Sequence, residues 1–64
     1  MIKYEESEKD GRRNLGMSSA TGDTVAQLNS NYKVDFTGEP MPQGSSCFDY
    51  TTRTLYFFDG VSWS

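Results

Sequence analysis

Histidine is absent from this 64-residue chain, and cysteine occurs once, as Cys47. The first absence excludes a Ser-His-Asp or Cys-His catalytic constellation built within the chain. The second excludes an intrachain disulfide. Together they leave too few ligands for a structural zinc site, which takes about four Cys or His side chains. A chain of this size buries only about 60% of the surface its unfolded form exposes, and such small folds usually rely on disulfides, a metal or self-association. With the first two removed, oligomerisation or docking on a larger partner is the expected compensation.

Long apolar runs are missing too; none approaches the roughly 20 residues of a membrane-spanning helix. The basic residues Lys3, Lys9, Arg12, Arg13, Lys33 and Arg53 are dispersed among acidic ones, for a net charge of −3. No basic stripe is available to neutralise a phosphate backbone, so neither nucleic acid nor membrane is an expected partner. The opening "MIKYEESEKDGRR" has neither the apolar core nor the cleavage site of a secretory signal. Synthesis and retention in the cytoplasm are expected, with exit only by lysis or within an assembly, and a lone free thiol suits that compartment. Neither GxxxxGK[ST] nor GxGxxG occurs, so no phosphate cradle is expected, nor any cofactor or metal.

What is present reads mainly as strand and turn. Ile2 and Tyr4 alternate with Lys3 and Glu5, and Leu15 and Met17 flank Gly16, the period-2 pattern of half-buried strands. Asp10-Gly11 between them suits a tight turn, so residues 1–17 are expected to form an N-terminal hairpin. Its charged residues Glu5, Glu6, Glu8, Lys9, Arg12 and Arg13 are placed in solvent near the tip. Residues 18–31, "SSATGDTVAQLNSN", are small and polar, with Val25 and Leu28 as the apolar anchors. They read as a loop or arm, or as one helical turn near 24–30 capped by Thr24 and Gln27. "YKVDF" alternates Tyr32, Val34 and Phe36 with Lys33 and Asp35 and is expected to be a strand. "TGEPMPQGSS", with both prolines, is a connection. From Cys47 onward three short strands are expected: one with Phe48 and Tyr50, one over Leu55 to Phe58, and one over Val61 to Trp63 after the Asp59-Gly60 turn. The fold class is therefore a single all-β domain, a small antiparallel hairpin-based sheet or mini-barrel with at most one short helical turn.

Asp49, Asp59 and Glu39 are the carboxylates that could be imagined as a glycosidase pair. A turn accounts for Asp59, an exposed strand face for Asp49 and a polar loop for Glu39, so no catalytic residue is assigned. Cys47 is read as a small apolar filler. The aromatic cluster Phe48, Tyr50, Tyr56, Phe57, Phe58 and Trp63 admits three readings: plain core, a sugar-stacking platform, or a set split between the chain's own core and a partner. The strand Leu55–Phe58 is apolar on both faces, which favours a split.

The stretch "MPQGSSCFDYTTRTLYFFDGVSW" resembles a segment of small virion-associated proteins of tailed bacteriophages. In those proteins a Pro-x-Gly-Ser stretch precedes an aromatic strand, a Thr-containing turn, a Leu/Val-Tyr-x-Phe/Tyr strand, an Asp-Gly turn and a Trp. Here those places are held by Pro42, Gly44, Ser45, Phe48, Thr52, Leu55, Tyr56, Phe58, Asp59, Gly60 and Trp63. The start "IKY…DGR…NLGMS" is similar to theirs as well. The polar stretch 18–31 is longer than in that pattern, and Arg53 stands where Gly or Lys is more common. The resemblance implies a capsid-decoration, head-fibre or neck and tail accessory role in the virion, often trimeric, on the major capsid or another virion protein.

The expected function is thus a non-enzymatic phage structural protein. Leu55, Phe57 and Val61 are the interface candidates, joined by Val25 and Leu28 of an arm that orders on the partner. Tyr56, Phe58 and Trp63 form the core, with Phe48 and Tyr50 as core or stacking candidates; the two hairpin faces could be exchanged. The alternative is a carbohydrate-binding module of a phage adhesin, stacking sugars on Tyr50, Tyr56 and Trp63. A small bacterial regulator or a toxin-antitoxin partner is a third possibility.

Overall fold

The computed structural model describes residues 1–5 and 11–64. Four strands, β1 (Lys3–Glu5), β2 (Asn14–Met17), β3 (Ser46–Asp49) and β4 (Thr54–Phe57), form one open sheet in the order β1-β2-β3-β4. The sheet is mixed. β1 and β2 pair antiparallel, as do β3 and β4, but the central pair β2–β3 is parallel, with Leu15 opposite Cys47. Two antiparallel hairpins were expected, and both pairings form. What joins them corrects the purely antiparallel, hairpin-based expectation. A parallel pair requires a long crossover, usually containing a helix, and residues 18–45 supply it.

That crossover replaces the expected arm. It begins with a 3₁₀ turn, Ser19–Thr21, and continues into a helix, α1 (Val25–Asn31). Thr24 is the N-cap; its backbone is extended, and its hydroxyl accepts from the Gln27 N–H at 3.2 Å. At the other end the Tyr32 N–H donates to the Leu28 carbonyl. Val25, Leu28 and Tyr32 fall at helical spacing and form the apolar stripe that faces the sheet. Leu28, expected to dock on a partner, is fully enclosed by its own chain (0% exposed), and Val25 packs half-buried against the same core. Both are withdrawn as interface residues, because the helix has a sheet to cover.

The expected strand 32–36 does not form. Asp35 bends the chain instead: its Oδ1 accepts from the Thr37 N–H (2.8 Å), the Thr37 hydroxyl and the Glu39 N–H (3.2 Å). The Asp35 N–H also donates to the Glu39 carbonyl, leaving a single bridge between Val34 and Pro40. An aspartate that satisfies nearby backbone donors competes with strand pairing. Beyond β4 the expected third strand is likewise only a bridge, Phe58 to Trp63. The Phe57 and Ser64 backbones exchange two hydrogen bonds of 3.1 Å beside it. Asp10 of the expected first turn, like Glu6, Glu8 and Lys9, lies outside the described residues. Arg13, expected at a solvated tip, is mostly covered, lying against Asp35 and the Phe36 ring.

The strand register sorts the side chains. Tyr4, Leu15, Cys47 and Tyr56 form one row across the sheet, pointing inward with Met17 and Asp49. Leu28, Met41, Phe58 and Trp63 close over Leu15, Met17 and Cys47 as the second layer, with Ile2 at the margin. No helix among the described residues is long and apolar enough to cross a membrane.

Truncating Leu28 removes a fully enclosed side chain from a small core. Leu28→Ala should lower the unfolding free energy by about 2–5 kcal/mol, read by urea denaturation followed by circular dichroism. A loss within about 0.5 kcal/mol, the range of a neutral surface change, would show that α1 does not cover the sheet.

Candidate interaction surface

Among the described residues, nothing forms a second layer on the opposite face of the sheet. Residues alternating with the core row, namely Lys3, Gly16, Phe48 and Leu55 in one line and Glu5, Asn14, Ser46 and Phe57 in the next, point outward. Polar groups on the central strands β2 and β3 partner one another: the Ser46 hydroxyl donates to Asn14 Oδ1 at 2.8 Å. At the β4 end the face is apolar. Leu55 and Phe57 are about half exposed, at 48% and 51%, and exposed Tyr50, just past the end of β3, leans the other way across β2. Phe48 is half-buried and meets Tyr50 edge-on, with ring centroids 5.6 Å apart. Gly16 explains where Tyr50 lies: the phenol ring covers the space a β-carbon would need, and its hydroxyl donates to Glu5. That bond, made to an anionic acceptor, holds the phenol pKa above its ordinary value.

The turns beneath this face are held by carboxylates. Asp49 was expected on an exposed face, but its side chain is buried. Burial opposes its ionisation, yet N–H groups of Thr51, Thr52 and Ser19 on Oδ1 outweigh that and keep its pKa low. They also tie the β3–β4 turn to the 3₁₀ turn. The fixed turn carries Arg53 at φ 56°, a left-handed position. Asp59 accepts from the N–H groups of Ser62 and Val61, both at 2.8 Å, and is likewise lowered. Asp23 receives the Met1 ammonium at 2.7 Å, the main cause of its lowered pKa. Asp35 is lowered first by the Thr37 hydroxyl. Each carboxylate once weighed for catalysis, except exposed Glu39, is thus a turn fastener.

Cys47 is fully buried beside Leu15. Burial, reinforced by Asp49, pushes its thiol pKa up to about 12. The thiolate, the reactive form, is therefore suppressed at neutral pH.

The expected site residues divide as follows. Leu55, Phe57 and Val61 are exposed, the last at 72% in the Asp59–Ser62 turn. Phe58 and Trp63 are enclosed and pack with tilted rings, centroids 5.2 Å apart, while Tyr56 is half-buried against the same core. A sugar platform of Tyr50, Tyr56 and Trp63 does not exist as a surface. Tyr50 points outward, Tyr56 inward, and Trp63 is 2% exposed with its indole N–H on the Tyr32 carbonyl at 2.9 Å. The alternation of a strand puts neighbours on opposite faces, which a cluster counted along the sequence conceals. Missed altogether was a second exposed group, Tyr4, Val34 and Phe36, with Tyr4 and Phe36 centroids 4.3 Å apart. The Asp35-x-Thr37-Gly38 turn pattern could have signalled it.

Comparison with protein-family models, curated proteins and solved structures gave no match. The reading of this surface therefore rests on its chemistry and on the residues themselves.

Two measurements check the electrostatics. Asp23, Asp35, Asp49 and Asp59 all titrate lower when folded, so as pH falls the unfolded chain takes up protons first. Their contribution to stability is present above the ordinary carboxylate value of 3.8 and is lost as pH drops through the folded values. The melting temperature should hold between about pH 7 and 5 and fall between about pH 4 and 2; a flat profile across the acid range would contradict the assignment. Iodoacetamide should leave Cys47 unmodified in the folded protein at neutral pH and alkylate it in urea. Equal rates in both would mean that the thiol is not enclosed.

Proposed function

We propose that this protein is a non-enzymatic structural component of a tailed-bacteriophage virion that self-associates through the outer face of its sheet. The observation that carries the proposal is that apolar face: Phe48, Tyr50, Leu55 and Phe57 point outward side by side, with no layer over them among the described residues. A sheet usually buries its apolar faces against further layers, and contiguous exposed apolar patches of this kind mark interaction sites. The chain has neither a disulfide nor a histidine-assisted metal site to compensate for its small core.

The occupant proposed for the face is a second copy of the chain. Outward-pointing Phe57, Leu55 and Tyr50 are neutral and large, suited to stack on their own counterparts across a two-fold or three-fold axis. The charged residues Lys3 and Glu5 sit at the β1 end, forming a polar margin to an apolar centre, the usual anatomy of an interface. The exposed Val61 turn lies beyond β4 and would extend the contact. The virion role, on the major capsid or another virion protein, is supported by the resemblance of residues 41–63 to phage accessory proteins. The resulting oligomer would decorate or anchor on the capsid, neck or tail and would act from the virion.

Sedimentation at tens of micromolar should give a dimer or trimer. The pair Leu55→Glu and Phe57→Glu should convert it to a monomer that keeps its amide dispersion, since both residues are outside the core. A wild-type chain that sediments as a stable monomer would overturn self-association. Capsid, portal or tail genes beside its own would support the virion role, and a purely metabolic neighbourhood would count against it.

A further inference from the structure

The outer face of the sheet is patterned in a way that selects one mode of pairing. Lys3 and Glu5 are successive outward side chains of β1, and Leu55 and Phe57 hold the same two rows on β4. Lys3 lies in the row of Leu55, and Glu5 in the row of Phe57. One end of the face therefore carries a cation and an anion, and the other carries two large apolar groups. Both charged residues are exposed, and among the described residues neither belongs to an ion pair. Glu5 accepts from the Tyr50 hydroxyl through Oε1, which leaves Oε2 to another donor.

A two-fold axis lying between two such faces closes a dimer, and stacked sheets usually keep their strands nearly aligned. Two orientations of the axis satisfy both conditions. An axis parallel to the strands turns the face over sideways and sets β1 on the partner's β4. Lys3 would then meet the partner's Leu55, and Glu5 the partner's Phe57. Burying those charges against apolar groups costs desolvation with no pairing to offset it. An axis perpendicular to the strands turns the face end for end, so each strand lies over its own counterpart. The two rows then exchange. Leu55 meets the partner's Phe57 at one end, and Lys3 meets the partner's Glu5 at the other, each contact occurring twice. Stacked sheets lie about 10 Å apart, a gap that extended Lys and Glu side chains span from opposite sides. Gly16, with no side chain of its own, leaves the Tyr50 ring room within that gap.

We propose that the self-associated form is a two-fold dimer, stacked sheet on sheet in this end-for-end register, with Lys3 of each copy paired to the partner's Glu5. This dimer rests on the outer-face self-association proposed above, to which it adds the symmetry, the register and the pairing.

Sedimentation equilibrium of the full chain at neutral pH and low salt tests it. The wild type should be a dimer. Lys3→Glu sets carboxylates against each other across the interface, and Glu5→Lys does the same with ammonium groups. Each should raise the dissociation constant at least about tenfold. Mixed in equal amounts, the two variants present one acidic and one basic margin and should pair within about threefold of wild-type affinity. Mixing cannot restore a role that lies within one chain, so this rescue reports contact between copies. Circular dichroism checks that each variant is folded. Should Glu5→Lys, which loses the Tyr50 acceptor, fail to fold, Lys3→Glu must weaken the dimer and Lys3→Arg must not. In a trimer closed around the β4 edge, Lys3 and Glu5 would lie at the periphery. A wild-type trimer, a dimer that Lys3→Glu leaves intact, or folded variants that fail to pair on mixing would overturn the register and leave self-association standing. A wild-type monomer would remove both.

Discussion

Both layers of this fold close on Trp63. Its side chain packs against the tilted Phe58 ring, its indole N–H is held by the Tyr32 carbonyl, and its backbone is held by Asn29. The Asn29 amide accepts from the Trp63 N–H at 2.7 Å and donates to the Trp63 carbonyl at 3.2 Å, taking the place of a neighbouring strand. One residue therefore joins the end of α1, the segment after it and the sheet edge. A buried tryptophan contributes large apolar area, and its N–H must find an acceptor for that burial to be favourable. The chain meets both requirements without covalent help. Because that enclosure uses the inner face, none of the described residues remains to cover the outer one.

The sequence exposed some of this and hid the rest for physical reasons. Alternation placed Phe58 and Tyr56 together and Leu55 and Phe57 opposite them, and the structure has the same parity. Thr24 and Gln27 marked a helix start correctly, yet α1 was weighed as one turn of a polar arm because only Val25 and Leu28 were counted as its anchors. The third anchor, Tyr32, was assigned to a strand that Asp35 forbids. Polar anchoring was also invisible: Asp23, Asp49, Thr51 and Asn29 hold the crossover through bonds to groups as many as 34 positions away. Residue spacing carries no record of such pairings.

The exposed surfaces were legible to different degrees. The outer face could be anticipated, since a strand apolar on both sides cannot be satisfied by one layer. The group of Tyr4, Val34 and Phe36 could not, because it comes from β1 and from a turn misread as a strand. Arg13 lies beside it because Asp35 uses one carboxylate oxygen for its own turn and leaves the other facing Arg13.

The parallel join between β2 and β3 also governs how the chain can assemble. Each hairpin closes over a short loop, whereas Asn14 meets Ser46 only after everything between them has been gathered in. Closing so long a loop costs entropy before any contact rewards it. The two hairpins are therefore quick local events, and their union is the slow one. Until it occurs, the β3–β4 hairpin carries two greasy faces and unpaired edges, and crowded neighbours of the same kind are within reach. A polypeptide synthesised in many copies at once would pass through that vulnerable interval every time it folds.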